Sequence, residues 1–319
     1  MSPLKLPEVL ADKNQDLSSL ILAISNACIG VANQVKNSAL EGNLGVTGII
    51  NVQGETQQTL DLKANDLFVK ICSANPKLAA IVSEEVEEPL WLKEPEKDDF
   101  ILYIDPLDGS SNLNVDLSVG SIFSITRVGS SDARCVLRSG KHQLAAGYAI
   151  YGSSTMFVVS TGRDVQGYTL CVSSGDFILT HPFMTIPKST SEFAINTSRA
   201  RFWKSPIRRY VSECTAGEAG PRGQDFNMRW TASMVADVHR ILVRGGVFLY
   251  PKDTNNQSTG GKIRLLYEAN PMAFIVKAAA GRASTGDEDI LSISPKSLHQ
   301  RTSVILGSAD EVNLIESYH

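Results

Sequence analysis

Cysteine, histidine and excess positive charge are all scarce in this chain, and each scarcity removes a class of function. The five cysteines, Cys28, Cys72, Cys135, Cys171 and Cys214, are scattered over 319 residues with no CxxC spacing. They offer no disulfide framework and read as reduced thiols of a cytoplasmic protein. With only five histidines as well, zinc would lack its usual donors. Lys and Arg number 30 against 34 Asp and Glu, with no basic tail and no arginine-rich run, so nucleic acid is not an expected partner. No apolar run reaches the roughly 18 residues that suggest a membrane span. The opening MSPLKLPEVLADKNQD has two prolines and mixed charge where a signal peptide would have an apolar core. Internal repeats and low-complexity tracts are also missing. A hydrophobic content of 43% and a charged content of 20% leave an ordinary globular chain. It is long enough for two domains. The polar, proline-containing segment from Thr185 to Ser191 sets the expected boundary, giving domains 1–187 and 188–319.

What is present is organised around FILYIDPLDGSSN, from Phe100 to Asn112. The apolar run from Phe100 to Ile104 predicts a buried strand, ended by Asp105-Pro106 because proline cannot donate to a sheet ladder. Asp105 and Asp108 project from one tight turn, with the Leu107 carbonyl between them as a further oxygen ligand. Gly109, Ser110, Ser111 and Asn112 follow, small residues whose backbone N–H groups suit an anion.

Around this stretch the sequence predicts an amphipathic helix from Asp16 to about Leu40, with Asp16 as N-cap, and a glycine-punctuated loop from Gly42 to Gly54. A second helical pattern runs from Leu62 to Ile71. Asp61 at its start serves equally as a helix cap or as a site residue. A short strand from Ala79 to Ser83 ends in Glu84-Glu85. Such a pair is commonly solvated surface, but here it can converge with Asp105 and Asp108 on one sheet edge. Strand patterns at Ser121 to Thr126, Ala145 to Ile150, Thr155 to Ser160, Tyr168 to Val172 and Phe177 to Thr180 predict an antiparallel meander. Further on come a strand from Phe193 to Asn196, a helix from Ser233 to Leu242 and a strand from Gly246 to Pro251. Lys262 to Glu268 reads as a strand ending in another acid. A helix from Pro271 to Ala280, a strand from Ser303 to Leu306 and a helix from Ala309 to Tyr318 close the chain. His239 reads as a packed helix residue, since no second histidine stands at ligand spacing.

Glu84, Glu85, Asp105, Asp108 and Glu268 thus form a carboxylate set at strand ends, with Asp61 at a helix start and Glu55 in the loop before it. Several acids share a small volume only if cations neutralise them, which implies two or more Mg²⁺ or Mn²⁺ ions. Paired hard cations beside an anion nest suit in-line attack of water on a phosphate ester.

Asp105-Pro106-Leu107-Asp108-Gly109-Ser110-Ser111 resembles the signature of the Mg²⁺-dependent, lithium-sensitive sugar-phosphatase superfamily. Within it the chain closely resembles class I fructose-1,6-bisphosphatase. The likeness extends over Ser83-Glu84-Glu85, the run from Ser233 to Arg240, Gly246 to Pro251, Arg264 to Glu268 and Val304 to Ser308. The resemblance implies a layered αβαβα sandwich, α/β (α+β) in class, assembled as a homotetramer. It implies hydrolysis of D-fructose 1,6-bisphosphate in gluconeogenesis or Calvin-type metabolism. Glu84, Asp105, Asp108, Glu268 and the Leu107 carbonyl would be metal ligands, with Glu55 near a weaker metal position. Asp61 and Glu85 would orient and deprotonate the attacking water. Asp108, Gly109, Ser110 and Ser111 would border the 1-phosphate, with Arg264 nearby. Asn196, Met234, Tyr250 and Lys262 would meet the sugar and the 6-phosphate, and Arg229 would be donated across a subunit interface. Arg199 and Trp230 stand where vertebrate members place phosphate-binding tyrosines. Asp99-Phe100 replaces the lysine-tyrosine pair of the vertebrate AMP site. A carboxylate there is expected to repel a nucleotide phosphate, although Arg127 matches another member of that site. The alternatives are a sedoheptulose-1,7-bisphosphatase, an inositol monophosphatase, and a non-catalytic sugar-phosphate-binding regulator.

Overall fold

The strand Phe100–Asp108 is buried at every position, because layers of side chains cover both faces of the sheet it belongs to. The structure is a computed structural model that describes residues 4–11, 14–41, 46–50, 56–129 and 135–319, with 46–50 and 56–58 by backbone alone. The sheet has eight strands, in the order Phe177–His181, Val165–Leu170, Thr155–Ser160, Gln143–Tyr151, Val119–Arg127, Phe100–Asp108, Leu78–Ser83 and Leu90–Trp91. Its long arm is the antiparallel meander expected from the alternating segments. Leu78–Ser83 runs parallel to Phe100–Asp108, with Ser83 opposite Ile104. That register brings Glu84 and Glu85 out beside Asp105. The site is therefore a consequence of one parallel pairing in a mostly antiparallel sheet.

Three apolar layers define the sandwich. Helices Gln15–Asn37 and Thr59–Cys72 pack on one face of the large sheet through Leu20, Ile24, Val31, Leu60 and Phe68. Helices Met234–Arg244 and Asn270–Ala278 fill the space between that sheet and a five-stranded one, where Ile122 and Tyr148 share a core with Ala194, Phe248 and Leu306. The five-stranded sheet follows the order Asn227–Met228, Glu192–Ile195, Val247–Tyr250, Val304–Gly307 and Arg282–Ser284. Its other face, carrying Phe193, Ile195, Val247 and Leu249, is covered by helices Ser205–Thr215 and Ala309–Glu316. Side-chain alternation thus sends Phe193 and Ile195 outward and Ala194 inward, as the period of a strand requires. The result is the αβαβα layering.

Several elements differ from the sequence expectations. The first long helix starts at Gln15, not Asp16, and Asn14 is its cap, accepting the Leu17 N–H at 3.1 Å. By length and composition this helix could cross a membrane, with a mean hydropathy of 1.3, contrary to the expectation that no segment would. Half of that apolar window is buried inside the protein, so its hydrophobicity serves the core. Within the stretch expected as loop, 46–50 forms a strand paired with 56–58. Only Ile263–Arg264 of the expected 262–268 strand is extended, and Leu265–Ala269 turns into a π-helix. Asp99 is 0% exposed and paired with Lys93 at 2.9 Å and Lys77 at 3.9 Å, so the chain itself supplies its counter-charges, a pairing that the sequence expectation did not include. Arg127, for its part, pairs with Asp98 at 2.6 Å.

Candidate active site

Where the strand Phe100–Asp108 ends inside the large sheet, Asp105 and Asp108 interrupt the ladder to Val119–Arg127, and the register skips between them. The Asp105 carboxylate accepts the Leu107 N–H at 3.1 Å, an Asx turn that bends the backbone. Ser121 donates to the Pro106 carbonyl at 2.7 Å, and Leu107 is left lining the cavity. Asp108 is held by a helix start that the sequence reading did not connect to it. One of its oxygens accepts the Ser233 hydroxyl at 2.6 Å and the Val235 N–H at 2.9 Å. Ser233 is itself the N-cap of Met234–Arg244, accepting the Ala236 N–H. The capping serine before the helical run was a readable signal, but its partner lies 125 residues away.

These elements surround a cavity of about 400 Å³ lined by Asp61, Glu84, Glu85, Asp105, Leu107, Asp108, Gly109, Ser110, Ser111, Asn196, Trp230, Ala232, Met234, Phe248, Tyr250, Lys262, Ile263, Arg264 and Glu268. Carboxylate oxygens of Asp105, Asp108 and Glu268 lie within 4.8 Å of one another, all three residues buried. Burial first, then the negative charges of Glu84, Asp108, Glu268 and Glu85, push the Asp105 carboxyl well above the usual range. Burial and the neighbouring Glu84 push Glu268 up to about 8, against the opposing charge of Arg264. Asp108 is raised by burial, opposed by its bonds from Ser233, Val235 and Met234. The π-helical turn aims Glu268 back at its own start, where it accepts the Arg264 N–H at 2.6 Å. Arg264 is 3% exposed, and its guanidinium reaches Glu84 at 3.2 Å.

Gly109 opens the anion nest with φ +75, and the 3₁₀ turn Ser110–Val115 follows it. A side chain at Gly109 would be strained by that φ and would meet the Ser233 Cβ at 2.7 Å, so the position requires glycine. Asp61 is the third residue of Thr59–Cys72, buried rather than capping, and Ser110 donates to it at 3.4 Å. At the other end of the cavity Trp230 stacks on Phe248 at 5.8 Å and 7°, with Tyr250 tilted against it.

Of the residues singled out in the sequence, Arg199 and Arg229 do not line this cavity, and Glu55 lies outside the described residues. Arg199 is engaged by Asp253, and Arg229 is exposed beside the edge strand Asn227–Met228. Ala232, Phe248 and Ile263 join the lining without having been foreseen. They contribute shape, and their apolar side chains carry no chemical signature.

Two family models match the chain: fructose-1-6-bisphosphatase N-terminal domain over residues 7–182 and fructose-1-6-bisphosphatase C-terminal domain over residues 186–319. A fructose-1,6-bisphosphatase class 1 from Methylobacillus flagellatus is 50% identical over 324 residues, covering 99% of this chain and 98% of that one. Another from Methylacidiphilum infernorum is 54% identical over 310 residues, covering 95% and 86%. The crystal structure of Leishmania major fructose-1,6-bisphosphatase in holo form superposes with a TM-score of 0.93 at 34% identity, covering 100% of this chain and 99% of that one.

Proposed function

Since the chain belongs to the class 1 fructose-1,6-bisphosphatase family, we propose that the cavity described above is where it hydrolyses D-fructose 1,6-bisphosphate to D-fructose 6-phosphate and inorganic phosphate. The observation that carries the site assignment is the buried triad Asp105, Asp108 and Glu268 beside the Gly109–Ser111 nest. Among the described residues, six carboxylates and two basic side chains, Lys262 and Arg264, line one cavity. The excess of four negative charges is what two divalent cations would match. Among the described lining residues the donors are oxygens, with no histidine or cysteine, which fits a hard ion, so we assign Mg²⁺, with Mn²⁺ as substitute. Glu84, Asp105, Asp108, Glu268 and the Leu107 carbonyl would hold it, with Glu55 near a weaker position. Bound there, the metal supplies Lewis-acid stabilisation of charge on the attacking and leaving oxygens.

The chain's own groups do the rest. Backbone N–H groups and hydroxyls of Gly109, Ser110 and Ser111 hold the 1-phosphate, and Asp61 and Glu85 orient a water in line with the phosphorus–ester bond. As the new P–O bond forms, the water proton passes to the Asp61 carboxylate with Glu85 beside it; the bond between phosphorus and the sugar C1 oxygen breaks, and that oxygen takes up a proton from solvent to leave as the C1 hydroxyl. Asn196, Met234, Trp230, Tyr250 and Lys262 hold the sugar and its 6-phosphate at the far end. We assign Arg229, which is exposed, to a contact with a neighbouring subunit, and the protein to a homotetramer acting in the cytoplasm.

Phosphate release from a panel of fructose 1,6-bisphosphate, sedoheptulose 1,7-bisphosphate and inositol 1-phosphate, with Mg²⁺, tests the substrate side of this account. The six-carbon bisphosphate should give the highest kcat/KM. Equal rates on inositol 1-phosphate would overturn the assignment of the distal end.

A further inference from the structure

The distal end of the cavity is walled by a loop whose attachment plays no part in the chemistry above. Tyr250 and Lys262, both lining the cavity, bracket the segment 251–261. Asp253 in that segment is 1% exposed and acts as its hub. One carboxylate oxygen accepts the N–H groups of Asn255 at 2.9 Å and Asn256 at 3.0 Å. The Arg199 guanidinium then binds both oxygens, Nε to Oδ2 at 2.7 Å and Nη2 to Oδ1 at 3.0 Å. Burial alone would raise the Asp253 carboxyl, but the bonds from Arg199, Asn256 and Asn255 outweigh it and hold the carboxyl below its ordinary range.

Arg199 sits on the turn Thr197–Phe202, which is capped by Asn196, another residue of the cavity lining. A second tie joins the same two segments, the Thr254 N–H donating to the Phe202 carbonyl at 3.1 Å. The clasp therefore joins two backbone segments, and each segment delivers polar side chains to the same end of the cavity.

We propose that Arg199 and Asp253 form a positioning clasp that sets the spacing between Asn196 and the Tyr250–Lys262 side of the cavity, and so governs affinity for a sugar bearing a second phosphate. This rests on the assignment of that end to the 6-phosphate. Arg199 acts through Asp253 and does not itself touch the phosphate. Its bidentate edge is already given to a carboxylate, and releasing it would leave that carboxylate buried without a counter-charge.

The experiment is steady-state kinetics on fructose 1,6-bisphosphate and on fructose 1-phosphate, which lacks the distal group. The variants are Arg199→Gln, Arg199→Lys, Asp253→Asn, the Arg199→Gln/Asp253→Asn double, and Lys262→Gln as reference. Asp253→Asn keeps the shape and an oxygen for the two backbone N–H groups, and Arg199→Lys keeps the charge, so two variants leave the loop with its local bonds. Each of Arg199→Gln and Asp253→Asn should raise KM for the bisphosphate about tenfold, with kcat within about threefold. KM for the monophosphate should stay within about twofold, Arg199→Lys should fall between parent and Arg199→Gln, and the double should match either single change. If Asp253→Asn lowers KM or leaves it unchanged while Arg199→Gln raises it, Arg199 binds phosphate directly and the clasp is wrong. If neither change moves KM while Lys262→Gln raises it, the clasp is equally wrong although the distal site stands. An unchanged KM in Lys262→Gln would remove the distal-phosphate assignment, and the clasp with it.

Discussion

Asp99 and Asp105 stand at opposite ends of the same buried strand and solve the same electrostatic problem in opposite ways. Both are almost fully enclosed, at 0% and 2% exposure. Asp99 receives its counter-charges from the chain, Lys93 at 2.9 Å and Lys77 at 3.9 Å, and accepts the Glu96 N–H at 2.9 Å. Asp105 is surrounded by Glu84, Asp108, Glu268 and Glu85, all of which raise its carboxyl pKa further. The first arrangement draws its counter-charges from within the chain and ties a loop to a strand. The second is stable at neutral pH only when protons or external cations join it. Burial of an acid therefore says little about function until the origin of its counter-charge is known.

The largest expected effect lies at the acid-rich end. Asp105→Asn or Glu84→Gln should lower kcat/KM by on the order of a thousandfold or more, since each removes a charged oxygen donor from the cluster. Phosphate release within tenfold of the parent would erase the distinction between the two ends. Asp61→Asn should come next, with KM for the bisphosphate preserved and kcat down by about 10²–10⁴, because the amide keeps the shape and cannot take the proton. Normal turnover would reduce Asp61 to a buried residue of the helix start.

The acid-rich end was also the more legible of the two in the sequence. DPLDGSS reports itself because strand, proline stop, acids and small residues are contiguous, and the apolar run before Glu84-Glu85 shows that the pair leaves a sheet. The pairing of Asp99 was not legible because its partners Lys77 and Lys93 sit in loops, and nothing in their spacing points back to it. Glu268 was assigned to the right cluster by the wrong element. Leu265-Leu266-Tyr267 suits a buried strand as well as a buried turn, and apolar content without periodicity does not separate them. The helix Ser205–Thr215 escaped notice behind its basic residues, although Pro206 in its first turn was a usable start signal. The Arg199–Asp253 pair spans 54 residues, so only the folded chain brings it together.

Smaller effects sharpen the comparison from the other side. Asp99→Asn should cost about 2 kcal/mol of stability, seen as a lower denaturant midpoint, with kcat within about twofold. A large loss of activity would mean that this end also serves the chemistry. His239 supplies a base for contrast, half-buried and hydrogen-bonded to the Tyr148 hydroxyl at 2.8 Å. Burial, then the neighbouring His181, lowers its pKa to about 4 from 6.5. The unfolded chain thus binds the proton more readily between these values, so the stability contributed by neutral His239 is full above pH 6.5 and is lost as pH falls toward 4. Between pH 7 and 5 the parent should lose on the order of 1 kcal/mol more than His239→Gln in paired denaturant titrations. Equal losses would show that His239 carries no such load.

The claim that one end of the strand is neutralised from within and the other from outside can be measured directly. Metal-stripped parent, Asp99→Asn and Asp105→Asn proteins are melted over a Mg²⁺ titration at pH 7.5. At about a hundred times the dissociation constant, a ligand of the native state adds about 2.7 kcal/mol, or several degrees in Tm for a chain of this size. The parent should gain that increment, Asp99→Asn should gain the same increment from a lower starting Tm, and Asp105→Asn should gain little or none. An Asp105→Asn protein stabilised by Mg²⁺ as strongly as the parent would contradict the account.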